Sequence, residues 1–183
     1  MTIQEQQVIP ASRSVTDFEA LLGMNFEHVI VLDSHISQLP YLRRQAREYG
    51  KKLIIHADLV QGLSHDEAGA QFLCQVIRPT GIISTHAKVV ATAKKHRLVG
   101  IHRVFLLDSH SLEVSYRIIR SSNPDYVEIL PGMMPDILRE FATESNKPVL
   151  AGGFIRTMED VSMLLASGAA AVTTSSREIW ENC

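Results

Sequence analysis

Short β-rich runs recur along this chain at a pitch that few folds can use. They are Val8–Ser12, His28–Leu32, Leu53–Asp58, Gly81–Thr85, Val104–Asp108, Tyr126–Leu130, Val149–Gly152 and Ala170–Thr173. Their starts fall about 20 to 28 residues apart, the pitch of a minimal strand–helix unit. Most runs are close to continuously apolar, the pattern of strands buried on both faces of a parallel sheet. Eight such units predict an α/β fold, a compact (β/α)8 TIM-like barrel. An open doubly wound sheet is the alternative if one run is not a strand. At 183 residues the chain is short for a barrel, so loops must be brief and the early helices small.

Helix signals fall between the runs. Ser64 to Glu67 reads as a capping box after a turn at Gly62, with Ala68, Phe72, Val76 and Ile77 as one apolar stripe. Pro135 suits a first helical turn whose packing face is Ile137, Leu138 and Phe141. Thr157 reads as the cap of the penultimate helix, and Ser175 with Glu178 as a last capping box. No linker or low-complexity tract divides the chain, so a single barrel domain over 1–183 is expected, with the polar stretch 1–7 as a flexible tail.

With 45% apolar residues the chain can bury one sizeable core. A net charge of −2 and a pI near 6.4 give no strong basic field of the kind that attracts nucleic acid or membrane. The two cysteines, Cys74 and Cys183, have no metal-binding or redox-motif spacing and read as free thiols in a reducing cytoplasm. Neither a signal-peptide core nor a run of membrane-spanning length is present, so a cytoplasmic location without a membrane partner is expected.

The stretch most telling about function is Lys147 to Trp180. Val149–Gly152 runs into Gly153, a helix follows, then a second strand ends in Thr174 and Ser175. Glycines let a backbone approach a ligand closely, and helices that start nearby direct free N–H groups at it. Turns behind the last two strands of a barrel form its usual phosphate cradle. Other polar residues at strand ends are Arg13, Asp33, Asp58, Thr85 to Lys88, Asp108 and Glu128. His56 and Asp58 are expected on one strand face, as are Leu106 and Asp108. A carboxylate in an apolar strand must be paired or hydrogen-bonded. Several around one rim would accept from the hydroxyls of a polyol; the plainer alternative is a structural ring satisfied by Arg13, Arg103 and backbone N–H groups.

Other chemistries are weaker in the sequence. His56 and Asp58, with His86 or His110, have a spacing that metals use, but it recurs by chance and no metal is assigned. A Schiff-base enzyme needs a lysine at a strand end, and none lies in an expected strand, Lys88 following one. The GxSxG nucleophile elbow is absent. Basic residues group as Arg43-Arg44 with Arg47, Lys51-Lys52, Lys94 to Arg97, and His102-Arg103. Many read as last-turn residues that complement helix dipoles. They would share the end of the barrel opposite the ligand mouth, where a phosphate-backbone contact is the other reading.

Taken together, these residues resemble the glycerol-3-phosphate-responsive antiterminators, regulatory proteins of glycerol uptake operons. The resemblance rests on His56–Ser64 with Asp66-Glu67-Ala68, Gly81–Thr85, Arg103–Ser109, Pro124–Gly132, and Ala151–Ser175 followed by Trp180. It runs from Ile9 nearly to the last residue. One departure is His86, where a longer basic side chain is expected after the Ser-Thr pair; Lys88 would then substitute. The resemblance implies a non-enzymatic barrel that senses glycerol 3-phosphate, with no cofactor beyond that effector, and binds leader mRNA to prevent transcription termination. Phosphate would rest on Gly152, Gly153, Thr174 and Ser175, with Arg13 or Lys88 neutralising charge, while Asp58, Asp108 and Glu128 accept from hydroxyls. RNA-contacting residues are not indicated, and a homo-oligomer is left open. The competing class is a phosphosugar isomerase or epimerase, in which Asp58 and Asp108 exchange protons on opposite faces or His56 and Asp58 hold a metal.

Overall fold

Side-chain alternation along the strands sorts the apolar residues into two cores. Inward positions such as Ile9, Ala11, Ile30, Ile54, Ile83, Ile101, Leu150 and Ala171 fill a central column. Outward positions such as Val29, Val31, Leu53, Ile82, Val127, Val149 and Val172 pack beneath the helices. The structure, a computed structural model, describes residues 3–183. Its strands are β1 (Val8–Ser12), β2 (His28–Val31), β3 (Ser34–His35), β4 (Lys52–His56), β5 (Val60–Gln61), β6 (Gly81–Ser84), β7 (Val99–Phe105), β8 (Tyr126–Leu130), β9 (Val149–Gly152) and β10 (Ala171–Thr174). Eight of them close a parallel barrel in the order β1-β10-β9-β8-β7-β6-β4-β2, the predicted (β/α)8 architecture. The remaining two, β3 and β5, were not foreseen; they pair in parallel between the loops that follow β2 and β4.

The helices are α1 (Val15–Leu22), α2 (Leu39–Glu48), α3 (Glu67–Phe72), α4 (Ala87–Lys95), α5 (Ser109–Ser122), α6 (Pro135–Ser145), α7 (Met158–Ala166) and α8 (Arg177–Glu181). Pro135 opens α6, and Thr157 caps α7 by accepting from the Asp160 amide at 3.1 Å. Two caps sit elsewhere than expected. Asp66, not Ser64, caps α3 through the Gly69 amide at 2.9 Å, while the Ser64 carbonyl packs against Gly69 where no Cβ fits. Ser176, not Ser175, caps α8.

One strand is displaced, and it matters for function. The fifth barrel strand is Val99–Phe105, five residues earlier than the expected Val104–Asp108. Its polar start hid it: His102 is buried, and Arg103 is neutralised by a partner on β8. Asp108 therefore leaves the sheet. The third barrel strand starts one residue earlier than expected, at Lys52, which pairs with Glu27 at 2.8 Å, and ends at His56. Asp58 consequently sits in a 3-10 turn, Ala57–Leu59, and does not share a strand face with His56.

Of the stretch 1–7 expected as a tail, Met1 and Thr2 lie outside the described residues. Ile3 is buried in the central column, and the Gln6 amide group donates to the Val8 and His28 carbonyls at 2.9 Å, so this segment is docked. Among the described residues no helix is long and apolar enough to cross a membrane.

Candidate functional site

A cleft of about 650 Å³ opens at the C-terminal end of the barrel strands, between the ends of β7, β8, β9, β10 and β1. Its polar floor is built from three strands. Glu128 on β8 is 1% exposed, a burial an ionised carboxylate tolerates only with partners. Arg103 on β7, in register beside it, donates Nε–H to Oε2 at 2.6 Å, and the Thr173 hydroxyl on β10 donates to Oε1 at 2.6 Å. Both Arg103 and Glu128 line the cleft.

Gly152 completes the floor because a side chain there would collide with it. A Cβ would lie 2.5 Å from the Thr173 hydroxyl oxygen and 3.2 Å from Glu128 Oε1. Gly153 follows at φ +84°, a left-handed conformation that glycine adopts without steric cost. The chain thus turns out of β9 with bare backbone facing the cleft. Beside it, past the neighbouring strand β10, Thr174, Ser175 and Ser176 form the second turn. The Thr174 hydroxyl accepts from the Ser176 amide at 3.1 Å, and the Trp180 indole N–H donates to the Thr174 carbonyl at 3.0 Å. The hydroxyl of Thr174 therefore holds the turn, leaving Ser175 and the loop backbone nearer any guest.

The lip of the cleft is apolar. Phe105, Leu107 and Phe154 are 51%, 83% and 72% exposed, uncommon values for such residues gathered on one rim. Phe154 also holds a left-handed φ of +60°, which costs a residue with a Cβ roughly 1–2 kcal/mol.

Of the nine residues expected at the site, Arg13, Glu128, Gly152, Gly153, Thr174 and Ser175 line this cleft, and Asp58, Lys88 and Asp108 do not. Arg13 stands at the edge, its side chain 65% exposed and 3.7 Å from Asp33. Lys88 is exposed in the first turn of α4, away from the lining residues. Asp108 caps α5, accepting from the Ser111 amide at 2.7 Å; that bond holds its carboxyl below the usual carboxylate range.

Asp58 belongs to a separate corner. It accepts from the Ser84 hydroxyl at 2.5 Å and from the Thr85 amide and hydroxyl at 2.7 and 2.8 Å, tying the turn after β4 to the end of β6. Burial pulls its pKa upward, but these donors outweigh it and the carboxyl titrates below its ordinary range. His86 Nδ1 lies 3.4 Å from the same carboxylate. His56 points into the barrel, 2% exposed, with neither ring nitrogen hydrogen-bonded. Burial, and next the nearby Arg103 charge, push its pKa down to about 4, so it is neutral near pH 7. Among the described residues no three His, Cys, Asp or Glu side chains are placed to share a metal ion.

Sequence reasoning offered Arg103 only as a counter-ion for the strand-end carboxylates, the pairing it makes with Glu128, and missed Thr173 as a site residue. The available signal was Ile101, Arg103 and Phe105 at alternate positions, a charge on the inward face of a strand.

Comparison with known proteins places the chain in a family and agrees with its fold. The family model described as glycerol-3-phosphate responsive antiterminator matches residues 8–180. A crystal structure of the glycerol uptake operon antiterminator regulatory protein from Listeria monocytogenes is 38% identical, with 100% of this chain and 99% of that one covered and a TM-score of 0.97. A glycerol uptake operon antiterminator-related protein from Thermotoga maritima is 28% identical over 96% of this chain and 98% of its own, with a TM-score of 0.84. The uncharacterised Escherichia coli protein YgcP is 31% identical over 97% of this chain and 93% of its own.

Proposed function

The chain belongs to the glycerol-3-phosphate responsive antiterminator family, and from that premise we propose that it binds glycerol 3-phosphate in the barrel mouth and, so loaded, binds leader mRNA of a glycerol operon to prevent premature termination. The observation that carries the ligand half is the pairing of a bare-backbone turn at Gly152-Gly153 with a buried Arg103–Glu128 pair in one cleft. A phosphate dianion is met by backbone N–H groups of the turns after β9 and β10 and by the charge of Arg13 at the edge, while Arg103 stays paired with Glu128 and holds that carboxylate in place. Glu128 uses one bond at each oxygen and retains acceptor capacity for a ligand hydroxyl. The site thus separates an anion end from a hydroxyl end, as a small phosphorylated polyol requires.

The same arrangement weakens the enzyme alternative. Proton exchange between Asp58 and Asp108 needs both carboxylates on one substrate, whereas one fastens two loops and the other caps an exposed helix end. Lys52, a lysine within a barrel strand, lies at its N-terminal end and pairs with Glu27.

RNA binding rests on family membership. A ligand shifts an RNA equilibrium only by its differential affinity for two states, so the loops after β7 and β9, which carry the exposed lip, are the segments a guest would order. Calorimetric titration with glycerol 3-phosphate, followed by leader-RNA retention with and without it, tests both halves. Retention that is the same at saturating ligand defeats the switch; absent heat and an unchanged melting temperature defeat the site.

A further inference from the structure

Three arginines of α2 and one beyond α3 converge on a groove that the ligand site does not use. Arg43, Arg44, Arg47 and Arg78, with Pro40, Val76 and Ile77, line a shallow groove of about 360 Å³, and no carboxylate lines it. The chain as a whole carries a net charge of −2, so this grouping is local.

Helix-dipole compensation does not account for it. Favourable cation placement is confined to the last turn of a helix, and in α2 only Arg47 is there. Arg43 and Arg44 are in the middle. Like charges one turn apart, as at Arg43 and Arg47, cost an isolated helix a few tenths of a kcal/mol. The arginines are also held in place. Arg43 donates Nε–H to the Arg78 carbonyl at 2.8 Å, and Arg78 donates Nε–H to the Gln75 carbonyl at 2.8 Å. Each bond occupies the inner nitrogen and leaves the terminal pair of its guanidinium for another acceptor. The Arg44 guanidinium stacks over the Tyr41 ring at 5.7 Å, and its only carboxylate contact among the described residues is Glu48 at 4.0 Å. Backbone distortion frames the groove: a π-helical turn, Leu73–Ile77, leaves Val76 63% exposed, and Arg78 follows at a left-handed φ of +55°. Such turns are concentrated at functional positions.

We infer that this groove between α2 and the end of α3 is the surface that grips the RNA phosphate backbone, an assignment that rests on the antiterminator reading and adds its contact residues. Planar guanidinium forks presented one helical turn apart match the oxygens of successive phosphates better than an isolated carboxylate. No residue of the groove lines the ligand cleft, so effector binding and RNA grip are separable by mutation.

The test compares two double variants that remove equal charge. Arg44→Gln/Arg47→Gln acts in the groove and leaves the Arg43 bond intact, whereas Arg117→Gln/Arg120→Gln acts on exposed positions of α5. Retention of the transcribed leader of the glycerol operon is measured at several salt concentrations with saturating glycerol 3-phosphate. The groove variant is expected to bind about tenfold or more weaker, with a log–log salt slope shallower by roughly 0.7 per lost phosphate contact. The α5 variant is expected to match the wild type, and both are expected to bind the effector normally. Equal losses from both variants, or none from the groove variant, overturn the assignment. A changed sedimentation coefficient with unchanged RNA affinity overturns it in favour of a contact between copies. Wild-type protein that retains no leader at any salt defeats the antiterminator reading itself, and the assignment with it.

Discussion

Two acids that the sequence sets alike near the ends of expected barrel strands, Glu128 and Asp58, have opposite roles in the fold. Glu128 is the third residue of β8, faces inward, and meets Arg103 and Thr173 across two neighbouring strands on the floor of the cleft. Asp58 lies two residues past the end of β4, with its side chain 11% exposed, and spends its oxygens on Ser84 and Thr85 of one neighbouring segment. The first is a polar group turned toward an opening, and the second is a fastener between loops. Strand parity makes the difference: a residue inside a strand inherits the inward or outward face, whereas one beyond it is aimed by the turn.

The largest break in this contrast is expected from Arg103→Ala. It leaves Glu128 as a buried charge without its cation, a loss of about 3–5 kcal/mol by chemical denaturation, together with loss of effector binding. Asp58→Asn, by contrast, should lower stability while leaving the effector dissociation constant within about threefold in calorimetry. Equal binding defects from the two would erase the distinction.

Acid sharpens it next. His56 faces the barrel interior with a folded pKa of about 4 against about 6.5 when free. Between those values the unfolded chain takes up a proton that the folded chain refuses, so the contribution is complete above pH 6.5 and is lost as the pH falls toward 4. About 2–3 kcal/mol is expected to disappear over that interval. Urea midpoints of wild type and His56→Asn across pH 4–7 should converge at the acid end; parallel curves would show that His56 titrates normally.

Gly152→Ala places a methyl against the Thr173 hydroxyl and Glu128, and at least tenfold weaker effector binding is expected, about 1.4 kcal/mol. Binding at wild-type strength would mean that the ligand does not use this floor. The smallest effect belongs to Asp108→Ala, which removes the cap of α5. The melting temperature should drop by about 2–4 °C with effector affinity unchanged, and a binding loss would return Asp108 to the site.

Much of this was legible along the chain. The eight-unit period gave the barrel, and Gly152-Gly153 with Thr174-Ser175 gave the two turns beside the cleft. The errors cluster where a polar residue sits in a strand. Arg103 and His102 masked the start of β7, which moved the expected strand five residues and carried Asp108 into a site it does not join. The apolar lip at Phe105, Leu107 and Phe154 had no local signature, since an apolar residue at a strand end reads as core.

What the sequence determined alone was periodicity: apolar runs at βα pitch can bury both faces only in a parallel sheet, and glycines mark where backbone must pass close. Tertiary structure decided the pairings. Register set Arg103 beside Glu128, the closing of β10 onto β9 brought Thr173 to the same carboxylate, and the packing of α2 against the end of α3 brought Arg78 to the three arginines of α2. Those depend on distances across the sheet and between helices, which separation along a chain does not encode.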